Sequence, residues 1–122
     1  ALDSLSARYG GTVLLKGLGT LVQGEPVDAG PGRALIRDGN PGMASGGMGD
    51  VLTGVIAALR AQGLNSFDAA RFGAMVHARA ADHCAALQGE RGLLATDLLD
   101  GLRQQLNHGL QECEWQKETG RQ

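Results

Sequence analysis

The sequence predicts an α/β layered domain, with this chain forming a carboxy-terminal portion of it. Three observations carry that reading. Short apolar runs of strand length come first, a glycine-rich loop follows, and three segments with helical periodicity complete the chain. The helices outnumber what so few strands cover. The chain also opens at Ala1 in what reads as the tail of a helix. Both points lead to the expectation of an amino-terminal part upstream.

Leu2, Leu5 and Tyr9 fall at helical spacing, and Gly10-Gly11 ends that segment. Thr12-Val13-Leu14-Leu15 is apolar without alternation, as in a strand enclosed on both faces. Thr20 to Gln23 and Ala34 to Arg37 are two further strands, and the Gly- and Pro-containing stretch from Gly24 to Gly32 reads as their hairpin connection. From Val51 to Gln62, the residues Leu52, Val55, Ile56 and Leu59 share one helical face, with Gly63 as the stop. Ser66 reads as the N-cap of the next helix, which runs to the neighbourhood of Leu87 and stops at Gly89. Its Ala and Gly content predicts close packing. Thr96 caps a last amphipathic helix carrying Leu98, Leu99, Leu102 and Leu106, and the polar residues 109–122 read as a frayed tail.

Hydrophobic residues make up 43% of the 122 and charged ones 20%, a balance that places the chain among globular domains rather than disordered ones. Aromatics are only 3% against 20 glycines, so Ala and Leu must fill much of the core. A net charge of -2 gives no electrostatic case for nucleic acid or an acidic membrane as partner. No apolar run approaches the ~20 residues that span a bilayer. Cys84 and Cys113 form neither a spaced metal motif nor a disulfide framework, which fits a reducing cytoplasm.

Gly42, Gly46, Gly47 and Gly49 crowd together directly before a helix. Backbone amides in such a loop converge on an anion because no Cβ blocks the approach, and the helix amino terminus adds unpaired N–H donors and partial positive charge. The loop lacks the Gly-Lys-Ser/Thr of a Walker motif and the spacing of a Rossmann fingerprint. Asp50 follows in the first helical turn. It either favours the helix dipole or stands as a base beside a bound phosphate, ready to take a proton from a hydroxyl.

The stretch Asn40-Pro41-Gly42-Met43-Ala44-Ser45-Gly46-Gly47-Met48-Gly49-Asp50-Val51-Leu52-Thr53-Gly54 closely resembles the ADP/ATP-dependent NAD(P)H-hydrate dehydratase family. The resemblance extends to Val13 through Gly17, Ala57-Ala58-Leu59 with Gln62-Gly63, Gly89 through Ala95, and Thr96-Asp97-Leu98-Leu99. The Gly-Met-Gly-Asp core alone would indicate only the wider ribokinase-like superfamily. The resemblance implies a ribokinase-like three-layer α/β fold. It implies that Lys16, Gly17, Leu18, Gly19 and Thr20 contact the nucleotide. Asn40, Pro41, Gly42, Met43, Ala44, Ser45, Gly46, Gly47, Met48 and Gly49 would wrap its phosphates. Asp50 would face the hydrate as catalytic base and substrate contact. The implied co-substrate is ADP or ATP, with Mg2+ expected, and the implied substrates are the hydrates of NADH and NADPH. The family's amino-terminal part supplies much of the hydrate pocket, so this piece is expected either to associate as a homo-oligomer or to need that missing part. Two rivals share the loop: a small-molecule kinase of the same superfamily, and a nucleotide-binding module without catalysis.

Other residues invite plainer readings. Lys16 at a strand end serves either a phosphate or solvent. His77 and His83, six apart on one helix with Cys84 adjacent, miss the i, i+4 spacing that gathers metal ligands, and read as core or boundary histidines. His108 reads as a helix-dipole partner, Met43 and Met48 as either adenine-pocket lining or core filling, and Arg91 as a loop brace.

Overall fold

A computed structural model describes residues 1–25 and 32–107. The tip of the Gly24–Gly32 connection, His108, Cys113 and the 109–122 tail lie outside the described residues.

Helix α1 (Leu2–Tyr9) leads into three strands: β1 (Val13–Leu15), β2 (Thr20–Gln23) and β3 (Arg33–Ile36). They form one antiparallel sheet in the order β1-β2-β3, with Leu14 opposite Val22 and Val22 opposite Ala34. The β2–β3 pairing is the expected hairpin. The β1–β2 pairing is a second one, closed by the residues from Lys16 to Gly19, where the sequence had pointed only to a nucleotide contact. β1 departs from the expected double burial: all three of its residues are half-buried, because it lies at a sheet edge among the described strands.

Strand periodicity sorts the sheet into two faces. Leu14, Val22 and Ile36 point into a core shared with Leu52, Phe67, Ala70, Ala74 and Ala78 of the helices. Leu21 and Leu35 point the other way and stay substantially exposed. A short 3₁₀ turn over Pro41–Met43 connects the sheet to α2 (Met48–Ala61), followed by α3 (Ser66–Gln88), a second 3₁₀ turn over Ala95–Asp97, and α4, helical over 98–107. α3 packs on β2 and β3 and against α2. Met48, Val76, Ala80, Ala81, Leu93, Leu98 and Leu102 form a second cluster between these helices and α4. Small residues permit that closeness: a Cβ on Gly101 would stand 3.1 Å from the Ala80 carbonyl oxygen.

Several helix ends differ from the sequence expectation. α2 begins three residues early, at Met48, because Gly47 takes a left-handed φ of 86° that turns the chain into the helix. Asn65, not Ser66, caps α3, its side chain accepting from the Asp68 amide at 2.8 Å. Thr96 sits within a 3₁₀ turn and is not the cap of α4; the Asp97 carboxylate instead reaches back to the Leu94 amide at 2.8 Å. Leu98 and Leu102 are buried as expected, but Leu99 is 57% exposed, on the side of α4 that borders an apolar groove against α2. No described helix is long and apolar enough to cross a membrane.

Candidate functional site

Antiparallel pairing places the end of β1, the start of β2 and the end of β3 at one end of the sheet, since Leu15 lies opposite Leu21 and Thr20 opposite Ile36. The turn from Lys16 to Thr20 therefore emerges beside the segment that leads from Ile36 into the glycine-rich loop. Gly19 is pressed into this junction: a Cβ there would lie 3.2 Å from Leu35 Cδ1. Two motifs far apart in sequence thus share one end of the fold.

The loop divides into two parts. In the first, the backbone donors are spent internally: the Gly42 amide donates to Asn40 Oδ1 at 3.0 Å, the Met43 amide to the Asn40 carbonyl and the Ala44 amide to the Pro41 carbonyl. A Cβ on Gly42 would meet the Glu90 carbonyl oxygen at 2.5 Å, so this part is wedged against neighbouring backbone. The second part opens outward. Added Cβ atoms at Gly46 or Gly49 would touch nothing within 4 Å. Met48, Gly49 and Asp50 are the first three residues of α2, and helix geometry leaves their N–H groups without partners inside the helix. This half, from Gly46 to Asp50, has the unpartnered helix-start donors and the dipole end that suit an anion, although Met48 itself is buried.

Asp50 lies in this first turn with its side chain exposed. A carboxylate in the first helical turn favours the helix dipole, while beside an anion site its like charge opposes anion binding; its placement fits either a structural role or a chemical one. It makes chemical sense where a proton must be taken from a group brought next to the phosphate.

Beneath the site lies His77 of α3, only 2% exposed, with Nε2 buried and without a hydrogen-bond partner. Burial, reinforced by the charge of Lys16, holds its imidazole below the ordinary value, while a hydrogen bond with the Met48 backbone acts the other way. Lys16 and Met48, one from each motif, thus both influence a single buried ring. Met48's own side chain is buried in the second core cluster, which decides for core filling there; Met43 is half-buried against both clusters. His83 is half-buried. The Cys84 thiol donates to the Asp97 carbonyl at 3.2 Å, and burial with nearby Asp97 and Asp100 pushes its pKa up, away from reactivity.

Among the described residues, no three His, Cys, Asp or Glu side chains gather into a cation site. Mg2+ commonly binds through one or two carboxylates plus substrate phosphates and keeps several waters. An ion carried mainly on phosphate oxygens would fit the backbone donors of the loop. The apolar groove between α2 and α4, about 340 Å³, shares no residue with the loop.

Sequence reading missed the residues that hold the loop in place. Asp82 of α3 accepts from the Gly39 amide and from Asn40 Nδ2, both at 2.8 Å, and Arg79 reaches Asp38 at 3.7 Å. Bracing comes from these residues and the Glu90 backbone, while Arg91 is exposed. The available signal was two charged residues interrupting the Ala-rich run of α3 at Arg79 and Asp82.

The chain is similar to known proteins in sequence and in fold. The NAD(P)H-hydrate dehydratase family matches residues 1–104. The bifunctional NAD(P)H-hydrate repair enzyme Nnr of Vibrio cholerae is 55% identical over 107 residues, 88% of this chain and 21% of that protein. The corresponding Escherichia coli enzyme is 52% identical over 103 residues, 84% of this chain and 19% of its own length. The chain thus spans about a fifth of the curated relatives it matches. Among solved structures, Bacillus subtilis YxkO superposes with a TM-score of 0.75 at 26% identity, covering 88% of this chain and 38% of that one. The ADP/ATP-dependent NAD(P)H-hydrate dehydratase from Bacillus subtilis, co-crystallized with ATP/Mg2+ and soaked with CoA, gives 0.76 at 24% identity over the same shares, a likeness of fold. With a family match over most of its length and the α/β fold in common, this chain belongs to the NAD(P)H-hydrate dehydratase family.

Proposed function

We propose that this chain supplies the phosphate site and the catalytic base of an enzyme that dehydrates hydrated NADH or NADPH at the expense of ADP or ATP. The observation that carries the reading is the exposed Asp50 carboxylate in the first turn of α2, directly after the open glycines of a family-matched loop. The amides from Gly46 to Asp50 hold and orient the phosphates, with Lys16 available as a point charge from the adjoining turn. Asp50 takes the proton of the ring hydroxyl. The hydroxyl oxygen bonds to the terminal phosphorus as the bridging P–O bond to the leaving nucleotide breaks. Elimination then breaks the ring C–O bond, inorganic phosphate departs, and the neighbouring ring carbon gives up a proton to restore the double bond. Mg2+, when bound with the nucleotide, would neutralise part of the phosphate charge.

The test is to supply the full-length protein with ADP or ATP, Mg2+ and either hydrated NADH or vitamin-like primary alcohols. Return of the NADH absorbance, dependent on nucleotide, is the expected result. Phosphorylation of the alcohols with no recovery of NADH would assign the chain to a kinase instead.

A further inference from the structure

We propose that Asp82 is a positioning residue for the phosphate loop, acting through Asn40. This rests on the functional reading above. The carboxylate engages both of its oxygens: Oδ2 accepts from the Gly39 amide and Oδ1 from Asn40 Nδ2, each at 2.8 Å. The opposite end of the same side chain, Asn40 Oδ1, accepts from the Gly42 amide at 3.0 Å and sets the 3₁₀ turn over Pro41–Met43. These partners fix the amide orientation of Asn40, because a carboxylate only accepts and a backbone N–H only donates. The result is a relay from α3 through one amide to the backbone of the loop. It crosses 42 residues of sequence and determines where the open glycines begin.

Two neighbouring contacts show that the relay sits at a tightly fitted junction. Gly39 adopts a φ of 116°, and a Cβ there would meet Met43 Sδ at 3.0 Å and Ala78 Cβ at 3.7 Å. Arg79, less than one helical turn before Asp82, pairs with Asp38 at 3.7 Å. Both side chains of α3 therefore grip the same three residues, 38–40. Asp82 itself faces the braced part of the loop, not the open half. Its role is to hold donors in place before nucleotide arrives, so that ordering the loop costs nothing on binding.

Asp82→Asn puts a donor opposite the Asn40 amide; if Asn40 flips to accept it, its NH2 then faces the Gly42 amide, so one bond is lost in either orientation. Asn40→Asp sets two carboxylates face to face. Combining the two restores every bond, since the new amide at position 82 accepts from Gly39 and donates to the new carboxylate at position 40, which accepts from Gly42. In the full-length protein, titration calorimetry with Mg2+-ADP and Mg2+-ATP, performed below the melting temperature of every variant, is expected to show each single change weakening affinity ~10-fold or more, the scale of a lost hydrogen bond to a charged group. The double variant should recover most of that loss, which a general loss of stability would not do. Asp82→Asn with wild-type affinity, or a double variant no better than either single, overturns the proposal. Rescued nucleotide binding without NADH recovery by the wild type would overturn the functional reading and leave the positioning role standing. Wild-type turnover with indifferent Asp82 variants would do the reverse.

Discussion

Gly73 of α3 lies so close to Ile56 of α2 that a Cβ on Gly73 would stand 2.8 Å from Ile56 Cγ1, with Leu59 and Val55 next at 3.5 and 3.6 Å. The glycine-rich loop opens into α2 and is braced from α3, so this contact joins the two helices that frame the candidate site. Gly73→Ala removes a helix penalty of about 1 kcal/mol. Overpacking a filled interface costs about 1–3 kcal/mol. The steric cost should win, lowering the melting temperature of the full-length protein. A higher melting temperature would show that the interface is looser than this geometry.

Adjacent glycines of the loop should fail in different ways. Gly47 has a φ of 86°, and its Cβ would lie 3.3 Å from Ala95 Cβ. Gly47→Val should cost about 1–3 kcal/mol of stability from backbone strain, and nucleotide binding with it. Gly46 has open space around its Cβ position. Gly46→Ala should keep the wild-type melting temperature yet weaken nucleotide affinity, because the methyl group occupies the face the phosphate approaches. Calorimetric titration beside thermal melts separates the two. Unchanged affinity in both variants would remove the loop from phosphate binding.

Much of this arrangement was legible in the sequence. The glycine cluster followed by Asp50 and an apolar helix marked the candidate loop and its entry into α2 from local pattern alone, and the helical period placed Leu52 and Leu59 inside. What escaped was set by contacts across the fold. Asn65 and Ser66 are both good cap residues, and only the direction of the Asp68 amide chooses between them. Lys16-Gly17-Leu18-Gly19, four residues with two glycines between strand-like runs, does carry a hairpin signal; the β1–β2 pairing was overshadowed by the nucleotide contact assigned to the same residues. The link between Asp82 and Asn40 spans 42 positions, beyond the reach of periodicity.

His77 should give the protein a measurable acid sensitivity. Burial and the Lys16 charge lower its pKa from the ordinary 6.5, so the folded state binds this proton less readily than the unfolded chain. The stability attached to neutral His77 is complete above the unfolded value and is lost as pH falls from there toward the depressed folded value. Melting temperatures between about pH 7.5 and about pH 5.5 should fall more steeply for wild type than for His77→Gln. Parallel profiles would show that the buried ring contributes no such linkage.

The most direct measurement pairs wild type with Asp50→Asn in the full-length protein, following NADH recovered from its hydrate per nucleotide consumed while measuring nucleotide affinity separately. Wild type is expected to regenerate one NADH for each ADP or ATP hydrolysed. Asp50→Asn is expected to turn over ~10²-fold or more slowly, the scale of general-base catalysis, with nucleotide affinity equal or tighter because a negative charge beside the phosphates is gone. Near-normal turnover in Asp50→Asn, or nucleotide hydrolysis by wild type without recovered NADH, would contradict it.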